Sequence, residues 1–384
     1  MLEHGSRLHE LTPVVARLEE DLKASWGLPS WFYVDPRVHE LDLQAIFRRE
    51  WQYIGPTEKL NKPGDVMVGQ AGDVPVVVTR GEDGKLHGFV NVCRHRGYKV
   101  ATENTQNCKR LVCRYHAWSY WLNGDLAAAP GSDEEPDFPK QDLGLLPVSV
   151  DTWGDAVFVN ADPKAKRFLE VYHDLADTAA KGAMTLEPRH FSFVRETIHD
   201  VPSNWKLWYD NFAECYHCDN IHRGSFASAY ESSPGSSEIQ FKSRFFFSRY
   251  GPKLRATGTE LRASNYRSIN MFPGFLYLQQ GEIMILSQMR PTAPERTCQV
   301  VHYFAEKGAD PDRVEQWIDL WEQTFSEDGE ATAVQQEGLR VGIVERNRLL
   351  EARERSLLFF NGQIIKAYRN YLSIPPVTSV QAAE

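Results

Sequence analysis

The sequence predicts an α+β protein in two parts. A small all-β domain stands ahead of a larger α+β domain, whose antiparallel sheet is flanked by helices. Three observations predict it. Apolar residues recur at helical spacing near the N-terminus, then alternate with period two from about Gln52 to about Pro163. Turn signals (AGD, GEDGK, LNGD) cut that stretch into short hairpin-sized runs. Helical patterning then returns, is interrupted by a second β-rich block, and closes the chain. The boundaries expected are 1–46 for an N-terminal helical segment packing on the larger domain, 47–163 for the β domain and 164–384 for the larger domain.

The elements follow in order. Leu8 to Trp26 reads as an amphipathic helix with Leu11, Val15, Leu18 and Leu22 on one side, and DPRVHELDLQAIFRREW as a second, short helix. DVMVGQ, VPVVVTR, LHGFVNVC, RLVCRYHAWSYW and DAVFVNAD read as strands. FLEVYHDLADTAAKG and SNWKLWYDNFAECYH read as helices. FKSRFFFSRY, FLYLQQ, EIMILSQMR and TCQVVHYFAEKG read as the second β block. Three helices, DRVEQWIDLWEQTF, ATAVQQEGLRVGI and ERSLLFFNGQIIKAYRNYL, complete the chain. No internal repeat interrupts this order.

Composition excludes several classes. The 384 residues carry a net charge of −9, which argues against nucleic acid and anionic membranes as partners. No run approaches the length of a membrane span, and the first residues mix both charge signs without a signal-peptide core. Six cysteines, at 93, 108, 113, 215, 218 and 298, are too few and too scattered for a disulfide scaffold, so a reducing cytoplasm is expected.

Two constellations carry chemistry. In the first, Cys93-x-His95 ends one predicted strand and Cys113-x2-His116 lies in the next, so two hairpin tips can bring four ligands together. Zinc is one reading of a Cys2His2 set, and core cysteines beside surface histidines are another. Zinc fingers, however, open on paired cysteines and close on paired histidines. One cysteine and one histidine per arm suit a Rieske [2Fe–2S] centre, in which two thiolates hold one iron and two imidazoles the other. In the second constellation, His217 and His222 are spaced H-x4-H, well off a common face of a straight helix. They can share a metal only if the helix breaks between them, and CDN is the expected break. Two histidines with a distant carboxylate make the facial triad of non-haem Fe(II) oxygenases. Glu327, Asp328 and Glu330, at the expected start of a helix, are the candidate acids, and each also reads as a helix-terminus acid.

CRHRG, seventeen residues between His95 and Cys113, and CRYHAW together resemble the Rieske domain of the Rieske non-haem iron oxygenases. The resemblance extends along nearly the whole chain and implies a terminal oxygenase component. It implies that Trp118 shields the cluster and that Ala117 stands where relatives more often have glycine. It implies Asp328, ahead of Gln335 and Gln336, as the third ligand of a mononuclear Fe(II) held with His217 and His222. It further implies that Glu214 bridges His116 of one subunit to His217 of the next in a homotrimer. A carboxylate accepting from two metal-bound imidazoles also couples sites on physical grounds. Asn204, Trp205 and Lys206 match the family's NWK and read as structural. Cys108 matches no ligand position. Cys215 and Cys218 bracket His217 and are expected to be packing thiols turned from the metal, since a thioredoxin-like pair wants a βαβ context.

The implied reaction takes electrons from a separate NAD(P)H-dependent reductase or ferredoxin, activates O2 and oxidises a small-molecule substrate. The chain has no GxGxxG or Walker fingerprint, so NAD or flavin binding by this chain is not expected. Phe241, Phe245, Phe246, Phe247, Phe272, Phe275 and Tyr277 are candidate pocket rings, about half of them turned outward by strand alternation. Rings can stack on an aromatic substrate or cage a quaternary ammonium. ECYHC resembles relatives that oxidise betaine-like or choline-like compounds, so monooxygenation of a quaternary-ammonium or N-methyl compound is the expectation. Ring dioxygenation is the alternative, and a pure electron-transfer Rieske protein is a rival of another class.

Overall fold

The computed structural model describes residues 8–176, 190–231, 237–251 and 266–375. Residues 177–182 of the helix expected from FLEVYHDLADTAAKG lie outside them; Phe168–Val171 forms a single helical turn. Two sheets build the first β domain, and all their pairings are antiparallel. Six strands lie in the order Gln52–Pro56, Ala156–Asn160, Pro147–Trp153, Leu86–Val90, Val74–Arg80 and Val66–Ala71. A smaller sheet joins Leu111–Val112, Ser119–Tyr120 and Leu126–Ala128. Val66, Val77, Phe89, Leu111 and Tyr120 enclose Cys93 and Cys113 in one apolar cluster.

The second sheet has seven antiparallel strands: Phe191–Val201, Arg296–Glu306, Ile283–Ala293, Phe275–Gln280, Tyr266–Met271, Phe245–Tyr250 and Ser237–Phe241. Alternation assigns its two faces. Phe245, Phe247, Phe275 and Tyr277 pack against Trp51, Tyr53, Phe158 and Phe168, which joins the sheet to the first domain. Leu276, Leu278, Ile283, Ile285 and Tyr303 pack instead on Val314, Trp317, Ile318, Trp321 and Phe325 of a long helix, Pro311–Arg340.

Sequence reading expected that helix as two, with Asp328 at the start of the second. It is continuous for 30 residues, so Asp328 lies in its interior. Gly329 does not break it; a Cβ there would meet only the Trp208 ring, at 3.8 Å. The strand Tyr266–Met271 was not expected, because Ser268 and Asn270 interrupt its apolar pattern. Both are buried and satisfied: Ser268 pairs with Ser248 at 2.7 Å and accepts from Asn270 at 3.0 Å. N-terminal Leu11, Val15 and Leu18 share one core with Trp205, Trp208, Phe360 and Ile364 of the helices Trp205–Ala213 and Arg355–Tyr371.

Candidate functional site

The first constellation is two loops of one design. Cys93 N–H donates to Tyr98 O (2.8 Å) and Gly97 N–H to Cys93 O (3.1 Å); Cys113 N–H donates to Trp118 O (2.8 Å) and Ala117 N–H to Cys113 O (3.0 Å). Each loop turns through a positive φ, 73° at Gly97 and 58° at Ala117. That is the usual place for glycine, so Ala117 holds its conformation at a cost of about 1 kcal/mol. Both thiols point inward and are buried, while His95 and His116 lie at the surface with ring centroids 4.6 Å apart. Trp118 stacks on His95 at 4.9 Å. The Tyr120 hydroxyl lies 3.3 Å from Cys93 Sγ and accepts from Arg94 N–H at 3.0 Å. Burial and the neighbouring Cys93 push the Cys113 thiol up, so two thiolates here need a cation beside them. Sulfur inside and imidazole outside is a donor set that fits an asymmetrically ligated iron pair. Cys108 stands apart, donating to Arg110 O at 3.0 Å.

The second constellation forms where a helix stops. Asn204 caps Trp205–Ala213, and Glu214 then takes extended backbone angles. A single helical turn, Cys218–Ile221, follows, with His217 at its start and His222 at its end. The break therefore falls at Glu214–Tyr216, ahead of the expected CDN, which is itself the helical turn. His217 Nε2 and His222 Nε2 are 3.1 Å apart, and Asp328 Oδ1 lies 3.4 Å from the first and 3.0 Å from the second. The opposite ring nitrogens are already engaged. His217 Nδ1 donates to Glu214 (2.6 Å) and His222 Nδ1 to Glu327 (2.8 Å), which leaves both Nε2 lone pairs facing Asp328.

Asp328 facing two imidazoles calls for positive charge between them, carried by a proton or by a metal ion. Burial pulls His217 down, but Asp328 and Glu214 outweigh it and push it up to about 10. Burial also opposes the Asp328 carboxylate, yet His217 and His222 hold it below the usual range. Two imidazoles and one carboxylate oxygen, converging with their far sides fixed, fit a mononuclear iron.

Several assignments change in three dimensions. Glu327 faces the flank of His222, with Ser225 and Gln323 (2.8 Å) also donating to it, and Glu330 is exposed. Asn211 was not singled out in the sequence; its amide donates to Asp328 Oδ1 at 2.5 Å. Gln336 accepts from Asn204 N–H at 2.8 Å and so buttresses the start of the helix Trp205–Ala213, which leads into the histidine turn. Cys215 and Cys218 were expected to be thiols; they form a disulfide, their Cα atoms 5.0 Å apart. The helix has ended before Cys215, so the chain can fold back over the three intervening bonds. Of the seven expected pocket rings only Phe246 lines the cavity beside His217, His222 and Asp328. Phe245, Phe247, Phe275 and Tyr277 face the first domain, and Phe241 and Phe272 pack near Phe359 and Phe360. The cavity takes its rings from Phe226, Tyr250, Tyr266 and Trp321 instead. Phe226 stands 5.6 Å from Tyr266 and 5.9 Å from Trp321, and Tyr250 stands 5.3 Å from Tyr266.

Two family patterns match the chain: the Rieske [2Fe-2S] domain over residues 50–153 and the catalytic domain of the ring hydroxylating alpha subunit over residues 188–370. The chain belongs to the Rieske non-haem iron oxygenases. This oxygenase is 28% identical over 359 residues to the glycine betaine monooxygenase oxygenase subunit of Chromohalobacter salexigens, covering 82% of the chain and 79% of that relative. It is 26% identical over 376 residues to the chloroplastic choline monooxygenase of Spinacia oleracea, covering 93% and 80%. Its fold matches a quaternary ammonium Rieske monooxygenase that oxidises carnitine in gut microbiota, with a TM-score of 0.81 at 22% identity over 89% of this chain and 95% of the other. As an oxygenase of this family it is an oxidoreductase that uses a [2Fe–2S] cluster and mononuclear iron, and takes dioxygen, an organic substrate and electrons from a reductase. Among the described residues no helix is long and apolar enough to cross a membrane.

Proposed function

We propose that this oxygenase monooxygenates a small quaternary-ammonium compound at an N-methyl or adjacent carbon. The observation that carries the reading is the ring-lined cavity. Phe226, Tyr250, Tyr266 and Trp321 surround a space that opens on His217, His222 and Asp328. Aromatic faces attract a desolvated ammonium by about 0.5–2 kcal/mol each, and a trimethylammonium group offers no hydrogen bond that such walls would leave unmet. The relatives named for glycine betaine and choline support the same class.

Within this reading Cys93, His95, Cys113 and His116 hold the cluster, and His217, His222 and Asp328 hold the iron. When bound, the cluster relays single electrons and the iron activates dioxygen. The chain's own residues prepare that event. Glu214 and Glu327 fix the two imidazoles in the tautomer that turns Nε2 inward, Asn211 aims the Asp328 carboxylate, and the rings exclude water and orient the substrate. Inserting one oxygen atom into an N-methyl C–H bond consumes O2, two electrons and two protons and yields water and an N-hydroxymethyl group; that group leaves as formaldehyde with a tertiary amine and a proton. Glu214 is also the electron bridge to the cluster of a neighbouring subunit in a homotrimer. Exposed Tyr98 and Tyr115 beside the surface histidines, and exposed Tyr216 and Ile221 beside His217, offer apolar faces for such a contact.

A single turnover of chemically reduced holoenzyme tests the substrate class. Choline, glycine betaine and carnitine are compared with naphthalene and benzoate, and products are identified by mass. An oxygenated or demethylated ammonium product is expected. Oxidation of the ring compounds alone overturns the reading.

A further inference from the structure

Cys215 and Cys218 line the aromatic cavity beside His217, His222 and Asp328. They are joined as a disulfide although only three residues apart. A bridge that closes so short a loop constrains the unfolded chain least, so stability is a weak reason for it. Its position is more telling. Cys218 Sγ lies 4.0 Å from His217 Nε2, the nitrogen turned toward Asp328. Donor atoms of His217, Cys218 and His222 all lie within 4.8 Å of one another.

Backbone hydrogen bonds that do not involve the bridge hold Cys218 there. His222 N–H donates to Cys218 O at 2.9 Å, and Ile221 N–H to His217 O at 3.0 Å. Cys218 is 4% exposed and shares one apolar cluster with Phe226, Tyr250 and Trp321. Cys215 is half-buried and lies in the irregular stretch between Ala213 and the turn Cys218–Ile221. Opening the bridge therefore frees the Cys215 side, while Cys218 stays at the histidines. Both cysteines line the cavity, so a small reductant reaches the bond by the substrate's own route. The metal-binding form of cysteine is the thiolate, which a disulfide withholds.

We infer that the Cys215–Cys218 bridge is a redox switch on the iron site. With the bridge closed, Cys218 is withheld, and two histidines and one carboxylate leave open positions for dioxygen and substrate. With the bridge reduced, Cys218 becomes a fourth protein ligand and fills one of those positions. A dithiol supplies the two electrons. One of its sulfurs attacks Cys215, the protein S–S bond breaks, and Cys218 leaves as a thiolate; the second dithiol sulfur then displaces the first from Cys215. The products are a cyclic disulfide, a protonated Cys215, Cys218 on the metal and one proton released to solvent. The inference rests on His217, His222 and Asp328 holding the mononuclear metal.

Cobalt(II) placed in the mononuclear site of the cluster-loaded protein tests this, with spectra read as the difference from cobalt-free protein. Visible ligand-field bands report the metal, and a near-ultraviolet charge-transfer band reports sulfur bound to it. A water-soluble trialkylphosphine stands in for the dithiol, so that no added sulfur competes; it breaks the same bond and takes its oxygen from water. Ligand-field bands are expected in both states and the sulfur band only after reduction. Cys215→Ser should show the sulfur band without reductant, and its iron form should lose turnover. Cys218→Ser should lack the band in both states. Alkylation with peptide mapping should find both cysteines unlabelled before reduction and labelled after it. Cobalt bands without a sulfur signal, in reduced wild type and in Cys215→Ser, overturn the switch and leave the iron site standing. Labelling of both cysteines before reduction does the same. No cobalt bands in either state, beside an intact cluster signature, overturns the iron-site assignment and the switch with it.

Discussion

Asp328 and Glu327 are neighbours in sequence with different tasks, and the difference is one of rotation. Successive residues on a helix are about 100° apart, so one carboxylate reaches the two Nε2 atoms and the other the outer edge of His222. Asp328→Asn replaces a carboxylate oxygen facing two imidazole lone pairs. It should lower iron retention and turnover by at least about a hundredfold while the visible and EPR signature of the cluster stays unchanged. Turnover at the wild-type rate would remove Asp328 from the ligand set. Glu327→Gln should weaken iron binding by about ten- to a hundredfold, read by metal retention during dialysis against a chelator. Glu214→Gln should keep both metals and slow cluster reoxidation in single turnover, because an amide cannot accept from two imidazoles as a carboxylate does. At this scale the sequence was most informative where ligands are close together. Cys93, His95, Cys113 and His116 lie on two adjacent loops, and their spacing favoured a Rieske donor set over zinc. Asp328 needed the family resemblance, since a lone acid has no local signature. Glu327 and Asn211 were illegible as supports because their partners are over a hundred residues away.

Trp205–Ala213 leads into the turn flanked by His217 and His222, and a buried ion pair anchors it. Lys206 Nζ donates to Asp42 Oδ2 at 2.6 Å with both side chains fully buried, and Trp205 Nε1 and the Tyr368 hydroxyl donate to the same carboxylate. This ties the N-terminal segment, the helix Trp205–Ala213 and the last helix to one acid. Asp42→Asn strands the lysine charge and should cost about 3–5 kcal/mol in denaturant unfolding, with Asp42→Asn plus Lys206→Met recovering much of it. One turn on, Asp210 is buried; burial, with Glu354 and Glu214, pushes it up to about 8 against Tyr33 and Lys206. Unfolded, it ionises near pH 4, so between about pH 4 and about pH 8 folding takes up a proton and stability falls as pH rises. From about pH 5 to about pH 8 the wild type should lose about 1 kcal/mol or more relative to Asp210→Asn; parallel curves for the two proteins would contradict this. Strands and hairpins with clean alternation were legible, and Tyr266–Met271 was hidden by its satisfied polar residues. The pairing of Trp26–Pro29 with Arg346–Arg348 had no local signal at all, because it joins segments more than three hundred residues apart.

Across the whole molecule, the fold clamps the seven-stranded sheet between the first β domain and the long helix, and sets the aromatic cavity on the helix side. The order of the two domains was legible because periodicity changes abruptly where one gives way to the other. Which rings line the cavity was not, because half of them come from helices that only the folded chain brings to the sheet. Sedimentation of the holoenzyme should give a trimer, and a fully active monomer would remove the subunit boundary from the electron path. A cavity walled by ring faces should select positive charge, and neutral isosteres measure that selection. Choline is compared with 3,3-dimethylbutan-1-ol and glycine betaine with 3,3-dimethylbutanoate, each titrated into holoenzyme while the mononuclear iron is followed by EPR of its nitric oxide adduct. At least one ammonium ligand should bind about tenfold or more tightly than its carbon isostere, and Trp321→Leu should remove most of the difference. Equal affinity within both pairs would contradict it.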